Sequence, residues 1–195
     1  MIAVTREMIS RAASEMERRE PYIRHHFETK ALGQDQTSMI GFVGEFCARL
    51  WLGLSWEDGI RESYETIDTE DIVFGGLRID AKTETVPRQL LSLILERTRP
   101  SNETYGNRLY HVGQVGNLDH YDVILWGVFE RSDRLMPGAL WSPIGWTTPE
   151  KLLTYPHGRH GPRQSNGQHI VYPDAAYQIP TADLSWPDDL LQMAT

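Results

Sequence analysis

The chain has 195 residues, 40% of them hydrophobic and 24% charged, ordinary values that exclude wholesale disorder and suit one folded domain spanning 1–195. Its net charge of −8 argues against a protein that coats nucleic acid passively, because neutralising phosphates needs an excess of bases. No apolar run approaches the ~20 residues of a membrane-spanning helix, and the charged opening MIAVTREMISRAASEMERRE lacks a signal-peptide core, so a cytoplasmic protein with no membrane partner is expected.

Within the first 37 residues, Met8, Ile9, Ala12, Ala13 and Met16 recur at helical spacing and predict a helix from Thr5 to about Arg19. A second helix is expected from Ser38, as N-cap, to Leu52. Ile40, Val43, Phe46, Cys47, Leu50 and Trp51 form its apolar stripe, and Gly53 stands where a C-terminal glycine belongs. Cys47, the one cysteine of the chain, excludes an internal disulfide or multi-cysteine zinc site and reads as a small core residue.

The pattern then turns to strands. Asp71 to Phe74 is β-prone, Gly75-Gly76 signals a tight hairpin, and Leu77 to Lys82 alternates. Pro87 opens a third helix, Arg88 to about Arg97. The run YDVILWGVF, Tyr121 to Phe129, reads as a strand buried on both faces. A further strand is expected over Leu140 to Trp146, and a helix start at Thr147-Thr148-Pro149-Glu150. Residues 155–169, rich in Gly, Pro, His and Arg, read as a loop, and the six tryptophans as core rather than base-stacking platforms. The order of elements predicts an α/β fold, a mixed sheet flanked by helices.

Chemistry concentrates around Asp71, Asp80 and Lys82. Residues i and i+2 of a strand share a face, so Asp80 and Lys82 emerge side by side, and the glycine turn folds Asp71 back toward Asp80. Two carboxylates converge beside an ammonium, with the acids at an exposed strand end. Such a pair supplies hard oxygen ligands for Mg²⁺, which keeps several waters and accepts phosphate oxygens. The metal lowers the pKa of a bound water, and a nearby lysine orients that water or stabilises developing negative charge. The plainer alternative is an exposed strand face carrying an ordinary ion pair, worth about 0–1 kcal/mol.

These residues resemble the PD-(D/E)xK nuclease superfamily, the restriction-endonuclease-like fold. Its pattern is an acid opening one hairpin strand, acid-x-lysine on the next, and a glutamate on the preceding helix. Asp71, Asp80 and Lys82 match those positions within GGLRIDAKTE, and Glu45 in GFVGEFCARLWLG is the helical member. The residue before Asp71 is Glu70 rather than proline. The resemblance covers residues 38–130. Residues 1–37 add an N-terminal helical segment, and 131–195 add strands, a helix and a loop that match no motif. It implies an Mg²⁺- or Mn²⁺-dependent deoxyribonuclease, an endonuclease by expectation, with DNA as partner and a homodimer as one arrangement. It further implies that Asp71, Asp80 and the Ala81 carbonyl bind metal, that Glu45 joins through water, and that Lys82 positions the attacking hydroxide. Arg49, four residues beyond Glu45, offers that glutamate a simple surface pair instead. The alternative function is an inactive DNA-binding or assembly module of the same fold.

The balance of charge bears on where DNA would lie. Residues 1–85 hold ten Lys/Arg against sixteen Asp/Glu, whereas Lys151 to Pro173 contains no acid. Lys151, Arg159 and Arg163 are therefore the candidate phosphate contacts, with Arg88, Arg97, Arg99 and Arg108 as alternatives and a solvated surface loop as the plainer account.

Overall fold

The computed structural model describes residues 1–19, 34–60, 71–163 and 168–193. It is a mixed α/β architecture built on two sheets. The first runs, edge to edge, through β1 (Ile2–Ala3), β6 (Leu140–Thr147), β5 (Val123–Glu130), β3 (Leu77–Val86) and β2 (Ile72–Phe74). Its central pair, β3 and β5, is parallel, and its other pairings are antiparallel. The second sheet runs β4 (Asn107–His111), β8 (His169–Pro180) and β7 (His157–Arg163). Four helices carry the remaining packing: α1 (Arg6–Arg19), α2 (Gln34–Trp51), α3 (Arg88–Leu95) and α5 (Pro187–Met193), with the single turn α4 (Pro149–Leu153) between the sheets in sequence.

β5 explains why the core has two compartments. Seven of its eight residues are buried, and successive side chains leave a strand on opposite faces. Val123, Leu125 and Phe129 pack with α1 and α2 through Met8, Val43 and Phe46. Ile124, Trp126 and Val128 pack instead with α3 and the second sheet through Ile94, Tyr110 and Ile179. The expected double burial of this run is thus met by a helical layer on one side and a mixed layer on the other.

Local chemistry fixes several boundaries. The Thr5 hydroxyl accepts the Met8 N–H at 3.1 Å and starts α1. Gly75 and Gly76 both have positive φ, 57° and 82°, the conformation a two-residue hairpin between right-twisted strands demands. The Thr148 hydroxyl accepts the Lys151 N–H at 3.3 Å and caps α4.

Three expectations are corrected. α2 begins at Gln34, a turn before Ser38, so Ser38 is not its cap. β3 continues to Val86, four residues beyond Lys82, because it pairs with β5 along its whole upper length. The segment 155–169 is not a loop: its described residues enter the β7–β8 hairpin, whose register slips between Gly158 and His160 and again before Arg163. Glycine and proline make poor strand formers, so a hairpin held by cross-strand pairing left no signal in local composition.

Gly127 lies under the Trp141 indole at a register shift in β5–β6. A Cβ there would sit 2.1 Å from the indole ring, while the Trp141 Nε1–H is engaged at 3.1 Å with the Thr83 hydroxyl. Gly127→Ala is expected to destabilise the protein by about 1–3 kcal/mol, the usual cost of overpacking a filled core, read as a lower denaturation midpoint with an unchanged slope.

Candidate functional site

The site forms where β2 ends and β3 continues alone. Ile72 pairs with Ile79, so Asp71 stands across from Asp80 one step further on. Among the described residues β3 has no strand partner on that side beyond Ile79. The Ala81 N–H points off this open edge and is accepted by Asp71 Oδ2 at 3.3 Å. A strand residue directs its N–H and its carbonyl to the same neighbour, so the Ala81 carbonyl emerges beside the two acids.

Lys82 Nζ lies 2.7 Å from Asp80 Oδ1. Asp80 is only 1% exposed, and its carboxylate also meets the Asp71 carboxyl and the Tyr110 hydroxyl. The expected exposed strand end is therefore corrected: Asp80 is in the interior. Its face of β3 is covered by the second sheet, where the Tyr110 ring lies 5.3 Å from Lys82 Nζ. The same segments whose strands local composition concealed are the ones that take Asp80 out of water.

Glu45 joins from α2. That helix packs on the Ile79 and Ala81 face of β3, and Gly44 sets the approach: a Cβ at Gly44 would fall 2.1 Å from Thr83 Oγ1. The close contact brings the half-buried Glu45 within electrostatic reach of both Asp71 and Lys82. Arg49 sends Nη2 to the Asp71 carbonyl at 2.5 Å and so ties the start of β2 to α2.

The electrostatics follow from crowding acids in little water. Burial first, then the charges of Glu45 and Asp80, push the Asp71 carboxyl well above the ordinary carboxylate range, with Lys82 opposing them. Burial works against the Lys82 ammonium, but Asp80, Asp71 and Glu45 outweigh it and hold its pKa above the usual lysine value. Lysine is a sparing choice in this chain, with three (Lys30, Lys82 and Lys151) against sixteen arginines. Placing one against three acids gives the site a compact point charge where arginine would bring a planar fork.

Among the described residues, no three His, Cys, Asp or Glu side chains are spaced to enclose a metal by themselves. Mg²⁺ does not need that: it takes one or two protein carboxylates and fills its octahedron with water and substrate oxygens. Asp80, whose two oxygens are buried beside the Lys82 ammonium, together with Asp71 and the Ala81 carbonyl, is a hard-oxygen set of the fitting kind.

The remaining candidates lie apart. Lys151 Nζ is bound to the Asp183 carbonyl, and the exposed Arg159 donates Nε to the Tyr172 carbonyl at 3.2 Å. The side chain of Arg163 lies outside the described residues. Of the alternatives, Arg97 is buried and donates to the carbonyls of Ile144, Leu184 and Ser185. Arg108 is fully buried against Glu84 at 2.9 Å, and Arg99 pairs with Glu103 at 2.5 Å. Sequence reasoning missed Tyr110 and Glu84, and it offered Arg108 as a phosphate contact where the structure buries it against Glu84. The inward positions of NRLYH are Arg108 and Tyr110, and an arginine at a core position hides the alternation that marks a strand.

No family model, no curated protein and no solved structure matches this chain.

Two consequences can be measured. A carboxyl with a folded pKa above its unfolded value of about 3.9 adds stability in acid that is lost as pH rises from there through the folded value. In EDTA, stability is therefore expected to fall across this window, and Asp71→Asn should flatten the dependence in denaturation curves taken from pH 4 upward. Gly44→Ala should cost about 1–3 kcal/mol by lifting α2 from Thr83. Because Glu45 moves with the helix, the same substitution should also weaken the pH dependence that Asp71 imposes.

Proposed function

We propose that the protein is a divalent-metal-dependent deoxyribonuclease with a restriction-endonuclease-like core. The observation that carries this reading is the meeting of Glu45, Asp71, Asp80 and Lys82, from α2, the start of β2 and β3, at one open strand edge. The helix α2, the acid-bearing hairpin β2–β3, the following helix α3 and, after β4 of the second sheet, the strand β5 support it as the elements the PD-(D/E)xK resemblance covers over residues 38–130.

In this reading Asp71, Asp80 and the Ala81 carbonyl hold Mg²⁺ or Mn²⁺, and Glu45 joins through water. The bound cation supplies a water of lowered pKa and neutralises charge on the phosphate. The chain's own groups do the rest. Lys82 holds the attacking oxygen in line and its ammonium offsets the negative charge that grows on the phosphoryl oxygens. Glu45 accepts a hydrogen bond from water at the edge and narrows its orientation. Arg159, exposed on the β7 edge, is the described cation placed to meet a DNA phosphate, and Arg163 is proposed beside it on the same strand. Lys151, committed to Asp183, takes the weaker part.

The test is cleavage of supercoiled and single-stranded DNA with Mg²⁺, with Mn²⁺ and with EDTA. Cleavage is expected only with metal. Asp80→Asn and Lys82→Ala should each lower the rate by about 10²–10³-fold, with metal binding lost in the first and kept in the second. Glu45→Gln should be the mildest of the three. Absence of cleavage by the unsubstituted protein with either metal, or an Asp80→Asn variant as active as it, would refute the assignment.

A further inference from the structure

We infer that Tyr110 is a positioning residue for Lys82, a role that rests on the proposed nuclease site but is assigned by the packing of the second sheet. Tyr110 is 1% exposed and belongs to β4, an element outside the motif-bearing helix and hairpin. Its ring lies under the Lys82 ammonium, 5.3 Å from centroid to Nζ. Its hydroxyl lies 3.5 Å from the Gln114 carbonyl and also meets the Asp80 carboxylate, which adds to burial in raising the phenol's pKa, so the ring is held at both ends, by its strand and by the groups around its hydroxyl.

The need for such a support comes from Asp80. That carboxylate is the closest counter-charge to Lys82, and the same oxygens are the ones offered to a cation. An ammonium that loses its ion-pair partner to another cation is repelled by it and turns toward water on its flexible four-carbon stem. A ring face attracts the ammonium through its quadrupole and is indifferent to which ligand Asp80 holds. Tyr110 thus keeps Nζ at the edge of β3 whichever state Asp80 adopts. Burial in the core cluster that also holds Trp126 and Val86 keeps the ring from following Lys82 outward.

The experiment compares the intact protein with Tyr110→Phe, which keeps the ring, and with Tyr110→Met and Tyr110→Leu, which fill space without a π face. Lys82 is labelled in EDTA with a small amine-reactive reagent, every labelled form carrying Asp80→Asn so that the counter-charge is absent, and is quantified by peptide mass spectrometry against the exposed Lys151. Cleavage constants are measured with Mg²⁺, and thermal unfolding verifies which variants are folded at the assay temperature. In whichever of Tyr110→Met and Tyr110→Leu is folded, labelling of Lys82 is expected to rise and kcat to fall, each by about 5- to 30-fold, with KM changed less than about twofold. Tyr110→Phe, which keeps the ring and loses only the hydroxyl's contact with Asp80, should recover most of both. Unchanged Lys82 labelling in a folded variant without the ring overturns the inference, as does a Tyr110→Phe variant no better than Tyr110→Met. If both ring-less variants are unfolded, replacing Tyr110 by phenylalanines of increasing ring fluorination decides: Lys82 labelling that rises as the ring quadrupole is withdrawn supports the inference, and labelling unchanged along the series overturns it. Should the intact protein cleave no DNA, the nuclease assignment fails while labelling alone still decides whether Tyr110 holds Lys82.

Discussion

Two carboxylates held face to face with little water are the constraint around which this molecule is arranged. Like charges directly opposite one another on paired strands repel, and burial deprives them of the solvent that would screen them. Lys82 and the Ala81 N–H offset part of that cost, and the rest is carried by packing at a distance. Gly44 seats α2 against Thr83, Arg49 fastens the start of β2, and the second sheet closes over Asp80. Groups assembled at the expense of stability and kept in one geometry are characteristic of sites that do something besides hold the fold together.

Much of this was legible in the sequence because it is local. The hairpin glycines fix the turn, the turn fixes the register, and the register sets Asp71 against Asp80. The spacing of two between Asp80 and Lys82 then fixes their shared face. The core strand β5 announced itself by seven consecutive inward residues. Glu45 was half legible: its helix could be seen, but the depth at which Gly44 lets that helix sit on β3 depends on a contact with Thr83, remote in sequence.

What escaped was the second sheet. β4 carries arginine and tyrosine where apolar residues are expected, and β7 is made of His, Gly, Arg and Pro with an irregular register. Such strands exist because β8, twelve residues long, offers a partner on each side, and pairing partners are invisible to a reading that moves along one segment at a time. The omission mattered beyond secondary structure. Without that layer Asp80 is a surface acid and Lys82 half of a surface ion pair; with it, Asp80 is interior and Lys82 half-buried beside it. Arg108, 0% exposed and paired with Glu84 two positions beyond Lys82 on the same face, extends that polar interior.

The first strand of the main sheet has a consequence for how the molecule assembles. Ile2 and Ala3 pair with Trp141 and Leu140, so an edge of the sheet is completed only when residues far apart in the chain come together. β5 must already have joined β3 through a crossover of more than thirty residues for β6 to offer that edge. Closing such long loops is entropically slow and is rewarded only at the end. During synthesis the segment bearing Asp71, Asp80 and Lys82 therefore leaves the ribosome well before the strands that shield it. The acids spend that interval hydrated and charged, and their mutual repulsion is imposed only as the last strands dock.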